Sequence, residues 1–159
     1  MSVIEVQARY AVSLEQVWAE LARVDRHVVW MSDAVAIEFT TPQREGIGTA
    51  FRCTTKVGPI VTRDVMTITE WVEGTTMGVN HVGLIRGRGS FSLRGDQNAT
   101  TLTWREQLSF PWWAPGPLGS LFAKPVLTRL WAKNLQRLGA VLAANETPGH
   151  GQRPVVELT

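Results

Sequence analysis

The chain has 159 residues, 44% of them hydrophobic, and a net charge of +2, so it suits one domain whose core needs no disulfide bond or structural metal. The mild charge, without a run of basic residues, argues against a nucleic-acid partner, and no apolar run reaches the roughly 18–20 residues of a membrane span. A single cysteine, Cys53, and an N-terminus without a signal-peptide pattern predict a soluble cytoplasmic protein with no stable membrane insertion.

The N-terminal part is predicted to contain a strand, two short helices and a second strand. Residues 4–12 alternate between apolar and polar side chains, which is typical of a half-buried strand. Ser13 and Gln16 form a capping-box pair that predicts the start of a short helix. A less regular stretch over residues 25–32 is predicted to turn its apolar residues inward. The residues that alternate in the second strand are Val35, Ile37 and Phe39.

Five further strands follow over residues 49–56, 61–73, 76–82, 86–94 and 101–110. Their short connections predict an antiparallel meander. The period of two places one set of side chains on the inner face of the sheet. This set contains Phe51, Cys53, Asp64, Met66, Met77, Val79, His81, Gly87, Gly89, Phe91, Trp104 and Glu106. We interpret Gly87 and Gly89 as positions that leave room for a helix packed on that face.

The last regular element is a long helix, predicted to begin at Pro125 because proline suits a first helical turn. Its apolar residues recur three and four positions apart and form one stripe that needs a partner, which the sheet supplies. The stripe consists of Leu127, Leu130, Trp131, Leu135, Leu138, Val141 and Leu142. We predict one domain over residues 1–145 and a flexible tail over residues 146–159, which are polar and contain Pro and Gly.

Several short motifs accompany this order of elements: Val17-Trp18, Trp30, residues 46–51, 69–71, 87–93 and 101–106, and the helical segment 131–135. Together they resemble the START/Bet v 1-like (SRPBCC) superfamily, and more narrowly its bacterial polyketide cyclase/dehydrase and lipid-transport group, over roughly residues 3–144. The resemblance implies an α+β helix-grip fold. In that fold about seven curved antiparallel strands wrap around a long C-terminal helix, with two short helices between strands 1 and 2.

Glu106 is the main candidate for chemistry, because it shares the inner face of its strand with Trp104 and Leu108. Apolar surroundings penalise the charged form of a carboxyl group, which makes Glu106 a candidate acid or base at neutral pH. His81 shares the inner face of its own strand, and the two side chains are predicted to form the polar pair of an apolar cavity. For Glu106 the alternatives are a salt bridge or hydrogen bond to a neighbour, or a position near the end of the sheet that reaches water. For His81 the alternative is an ordinary core position.

The side chains predicted to line the cavity are mostly large and apolar. They are Trp30, Phe51, Asp64, Met66, Met77, Val79, Phe91, Trp104, Trp112, Trp113, Leu127 and Trp131. Trp112-Trp113 could serve as a lid, as packing over the helix start, or as an exposed apolar patch for a membrane or a partner. We expect no metal and no cofactor, because the three histidines lack metal-ligand spacing and no nucleotide-binding motif is present.

Three functions are compatible with these observations. The favoured one is the binding of a hydrophobic small molecule, such as a lipid, an isoprenoid or a polyketide-like compound, in a cavity between sheet and helix. The second is a polyketide cyclase, aromatase or dehydratase that uses Glu106 and His81 as an acid/base pair. The third is an interaction protein without a ligand. In each case we expect a monomer or a homodimer.

Overall fold

The computed structural model describes residues 2–109 and 116–146, with side chains for residues 3–109 and 124–146. Its elements are β1 (Ser2–Tyr10), α1 (Leu14–Ala22), a 3₁₀ turn (Val24–Arg26), α2 (His27–Trp30), β2 (Ala34–Phe39), β3 (Ala50–Val57), β4 (Ile60–Val72), β5 (Thr76–Val82), β6 (Arg86–Gly95), β7 (Thr100–Ser109) and α3 (Gly116–Asn145). The predicted tail, apart from residue 146, and the predicted Trp112-Trp113 segment lie outside the described residues.

The seven strands form one antiparallel sheet in the order β1-β7-β6-β5-β4-β3-β2. β1 returns to pair with β7 along its whole length, from Ser2 opposite Leu108 to Tyr10 opposite Thr100. The inner face predicted from the alternation is the buried face, as Phe51, Met77 and Leu102 show with exposures of 3% or less. The helix-grip architecture predicted from the sequence is therefore confirmed.

The alternation predicted for the second strand is wrong at its first position. Val35 is 57% exposed, whereas Ile37 and Phe39 are half-buried and pack against the core. The register shifts between Ala34 and Ala36, so that Val35 is an extra residue, and such a bulge turns its side chain away from the regular alternation.

The predicted start of the long helix is also wrong. α3 begins at Gly116, and Pro125 lies inside it. Proline fixes φ near a helical value, so the helix continues through this position with the loss of one backbone hydrogen bond. The apolar stripe itself is confirmed, because Trp131, Leu135 and Leu138 are at most 5% exposed.

Polar contacts hold α3 against the rest of the fold. The Tyr10 hydroxyl donates to the carbonyl oxygen of Leu135 at 2.7 Å. Asn134 is fully buried; its Oδ1 accepts from the backbone N–H of Ser32 at 3.0 Å, and its Nδ2 donates to Oδ1 of Asp33 at 2.6 Å. These bonds join the middle of α3 to β1 and to the segment before β2, so they set the position of the helix over the inner face.

The carboxylate of Glu73 accepts hydrogen bonds from two indoles and attaches α1 to the sheet at the end of β4. Trp18 Nε1–H donates to Oε1 of Glu73 at 2.8 Å, and Trp71 Nε1–H donates to Oε2 at 3.0 Å. The two rings meet edge to face with centroids 5.1 Å apart. Glu73 thereby joins α1 to the turn between β4 and β5. Hydrogen bonds to a charged acceptor are stronger than those between neutral groups, so this attachment should contribute to stability.

We predict that Glu73→Ala lowers the free energy of unfolding by about 2 kcal/mol, because it leaves two indole N–H groups without their charged acceptor. Urea unfolding at neutral pH measures this change. Glu70→Ala is the matched control, since Glu70 is exposed on β4, three residues before Glu73, and should change stability by no more than about 0.5 kcal/mol. Equal losses in the two variants would contradict a specific role for Glu73.

Candidate functional site

A cavity of about 120 Å³ lies between the inner face of the sheet, α3 and the segment before β2. Eight of the predicted lining residues border it, together with His81 and Glu106. These eight are Phe51, Asp64, Met66, Met77, Val79, Phe91, Trp104 and Trp131. The remaining lining residues among those described are Val24, His27, Met31, Asp33, Ala34, Ile37, Cys53, Thr55, Ile85 and Leu108. The lining is mostly apolar, and its polar groups are few.

Two of the predicted lining residues with described side chains do not border the cavity. Trp30 is fully buried behind it, with its ring 6.1 Å from Phe91 and 6.3 Å from Trp104. α2 directs this ring into the core, so it supports the cavity wall from behind. Leu127 is half-buried and packs against the core outside the lining.

The sequence reasoning missed most of the lining that comes from residues 24–37. This stretch contains a 3₁₀ turn, a single-turn helix and a bulged strand, so no single period marks which side chains face inward. Cys53 and Leu108, in contrast, follow the alternation of their strands and could have been included on that signal.

The predicted polar pair comes together in the structure. His81 Nε2 and Glu106 Oε2 are 3.3 Å apart, and their side chains are 11% and 7% exposed. His81 lies on β5 and Glu106 on β7, with β6 between them. Two strands apart corresponds to roughly 9–10 Å between backbones. The two side chains must therefore reach toward each other across β6.

A glycine on β6, Gly89, makes room for the Glu106 carboxylate in that approach. Gly87 pairs with His81, and Gly89 pairs with Glu106. A Cβ atom at Gly89 would clash with Oε1 of Glu106 and lie only 2.6 Å from Oε2. The interpretation that these glycines make room for the helix is therefore wrong for Gly89, which makes room for the Glu106 carboxylate instead.

Trp104 fixes the orientation of that carboxylate. Its Nε1–H donates to Oε1 of Glu106 at 2.9 Å, and its ring stacks on Trp131 of α3 at a centroid distance of 4.9 Å and an angle of 22°. Glu106 Oε2 and His81 Nε2 are both buried, and neither has a hydrogen-bond partner among the described residues. Their 3.3 Å contact is with each other, and neither atom makes a hydrogen bond within the described part of the chain.

Asp64, predicted to bind a ligand, already has partners in the protein. Its Oδ1 accepts from the backbone N–H of Leu84 at 2.8 Å and from that of Ile85 at 3.4 Å. A Cβ at Gly83 would clash with the same oxygen. Asp64 borders the cavity while it stabilises the turn between β5 and β6.

Two other ionisable side chains of the lining are neutral at physiological pH. Burial lowers the pKa of His27 to about 4, and its Nε2–H donates to the carbonyl oxygen of Leu21 at 2.8 Å. Burial raises the pKa of the Cys53 thiol. A thiol that stays protonated is a poor nucleophile, so Cys53 contributes packing rather than covalent chemistry.

The described part of the chain contains no group of three or more His, Cys, Asp or Glu side chains placed to hold a metal ion. Within the same part, no helix has both the length and the apolar character needed to cross a membrane.

Comparisons with known proteins agree on the family and the fold. A family profile described as "Polyketide cyclase / dehydrase and lipid transport" matches residues 1–143. No curated protein matches the chain.

Several solved structures share this fold. TTHA0849 from Thermus thermophilus is 12% identical with a TM-score of 0.81, covering 92% of this chain and 100% of its own. The Zhui aromatase/cyclase from Streptomyces sp. R1128 is 15% identical with a TM-score of 0.75, covering 95% and 99%. A START superfamily protein from Mycobacterium smegmatis is 11% identical with a TM-score of 0.74, covering 90% and 98%. At these identities the likeness shows the fold alone.

We predict that His27 makes the fold less stable in mild acid. His27 takes up a proton near pH 6.5 in the unfolded chain and only near pH 4 in the folded chain. The free energy of unfolding is therefore unaffected by His27 above about pH 6.5 and falls as the pH drops from there to about 4. Because one pKa unit corresponds to about 1.36 kcal/mol, the loss in the free energy of unfolding approaches about 3 kcal/mol. His27→Gln, whose amide can still donate to Leu21, should lack this part of the loss in urea unfolding at about pH 7 and about pH 4.5. Parallel pH dependences of wild type and variant would contradict the prediction.

Proposed function

The chain belongs to the polyketide cyclase/dehydrase and lipid transport family, and on that premise we propose that it binds a small hydrophobic molecule in the cavity between the sheet and α3. The observation that carries this proposal is an internal space lined mainly by Phe51, Met77, Trp104, Trp131 and similar side chains. Apolar pockets with a few oriented polar groups are the usual form of small-molecule sites.

The volume of the cavity limits the size of the ligand. The space is about 120 Å³, somewhat smaller than an apolar cavity of roughly 150 Å³ that binds benzene. Sites for drug-sized molecules are larger, about 300–1,000 Å³. The ligand is therefore one of the smallest lipid, isoprenoid or polyketide-like compounds, about the size of one ring.

A second candidate function is acid–base catalysis of the cyclase or dehydratase type. The observation that favours it is the 3.3 Å contact between His81 and Glu106 in apolar surroundings. The name of the family and that of the Zhui aromatase/cyclase support it as well. Trp104 orients Glu106, so that Oε2 would accept a proton from a carbon next to a ligand carbonyl while a protonated His81 would donate to the carbonyl oxygen.

For the binding function, we predict that toluene binds in the cavity with a Kd on the order of 1 mM or tighter. NMR titration should shift the indole N–H signals of Trp104 and Trp131, whose rings border the cavity. Val79→Phe should abolish these shifts because the added ring occupies the space. Val65→Phe is the matched control, since Val65 is 39% exposed on the outer face of the neighbouring strand. Equal toluene binding by both variants would show that the ligand sits elsewhere.

For the catalytic function, we predict that Glu106→Gln slows α-proton exchange of a cyclic β-diketone of one-ring size by about 10²–10⁴-fold in kcat, with little change in KM, because the variant keeps the shape and loses the ionisable group. Steady-state kinetics measures both constants. Glu5→Gln, on the exposed face of the adjacent strand β1, is the control. Wild-type protein without turnover, or a Glu106→Gln variant as fast as wild type, would rule out this candidate.

A further inference from the structure

The free atoms of the polar pair differ in what they offer to a ligand. Trp104 occupies Oε1 of Glu106, so Oε2 is the carboxyl oxygen that makes no hydrogen bond among the described residues. Beside it, at 3.3 Å, lies Nε2 of His81, a ring nitrogen that can donate a proton. Neither atom has a hydrogen bond within the described part of the chain. Leaving such buried groups unpaired is unfavourable, so a ligand that forms hydrogen bonds to both atoms removes a cost that the unliganded protein carries.

A hydroxyl group is the ligand group that matches this arrangement. It donates one proton to Oε2 of Glu106 and accepts one from Nε2 of His81 through the same oxygen atom. A carbonyl or ether oxygen accepts only and leaves the carboxylate oxygen unpaired. An ammonium group donates only. An ionised carboxylate would place a second negative charge against Glu106, which costs free energy in buried surroundings.

The surrounding geometry holds the pair in this form. Gly89 lies directly beneath the Glu106 carboxylate, and the stacking of Trp104 on Trp131 limits how far the carboxylate can turn. Apolar side chains such as Met66, Met77 and Val79 border the rest of the space. The site thus offers one donor–acceptor position next to a compartment of about 120 Å³ for a hydrocarbon body.

We propose that the ligand is a hydroxylated compound of about one-ring size, a phenol or enol, whose hydroxyl binds between Glu106 Oε2 and His81 Nε2. This inference rests on the proposed binding function and adds the chemical class of the ligand. It also distinguishes the site from a purely apolar cavity, which would prefer a methyl group to a hydroxyl at the same position.

The test compares phenol with toluene, because the two molecules differ by a hydroxyl in place of a methyl group. We expect phenol to bind at least about tenfold more tightly than toluene, as a charge-assisted hydrogen bond allows. NMR titration gives both dissociation constants, and a crystal soaked in phenol locates the oxygen atom. If toluene binds as tightly as phenol, or more tightly, the hydroxyl assignment is wrong while the binding proposal stands. If neither binds, both fail.

Variants identify the groups that recognise the hydroxyl. Glu106→Leu and His81→Leu should each remove the preference for phenol and keep toluene binding, which also shows that they fold. Glu106→Gln is the milder variant: if its oxygen remains with Trp104, its NH₂ group replaces the free acceptor, and the preference should fall about fivefold or more. Glu5→Leu makes the same change on the outer face of β1 and should leave the preference intact. A preference that survives in all the Glu106 and His81 variants would overturn the assignment.

Discussion

The apolar stripe of α3 must be covered, and the inner face of the curved sheet covers it. Burial of this kind is the main favourable term in folding, and here it also determines where the polar contacts of the helix can form. The Tyr10 hydroxyl meets the carbonyl of Leu135, and buried Asn134 joins the segment before β2 to the helix. The cavity is the space that remains between these two surfaces, so its shape depends on how closely the helix is held.

The candidate site depends on a second constraint, the lack of a side chain on β6 at Gly89, where a Cβ would meet the Glu106 carboxylate. Without that gap, His81 and Glu106 would stay on separate strands with an intervening side chain between them. With it, they meet at 3.3 Å in a place from which water is largely excluded. Unpaired buried polar atoms oppose folding, and one reason for a protein to keep them is a ligand or a reaction that uses them. The pair of His81 and Glu106 therefore indicates a function more directly than the fold does.

The fold alone does not decide between binding and catalysis, because one architecture hosts many activities. The small cavity favours a compact ligand, and the arrangement of Trp104, Glu106 and His81 would give a bound ligand one oriented polar contact. The same arrangement suits proton transfer, since carboxylates and imidazoles are common general acids and bases in enzymes. Binding and catalysis therefore require the same arrangement of these residues. They differ only in whether the bound molecule is chemically changed.

The sequence by itself determined the order of elements, the antiparallel sheet and the side chains that share its inner face, including His81 and Glu106. These features follow from the period of two along a strand and the three-to-four spacing along a helix, which are local properties of the chain. Only the tertiary structure decided that β5 and β7 lie on either side of a glycine-lined β6, that Trp30 lies behind the cavity, and that α3 starts before Pro125. The cavity volume and the distance between His81 and Glu106 were likewise decided there, because both depend on contacts between residues far apart in the chain.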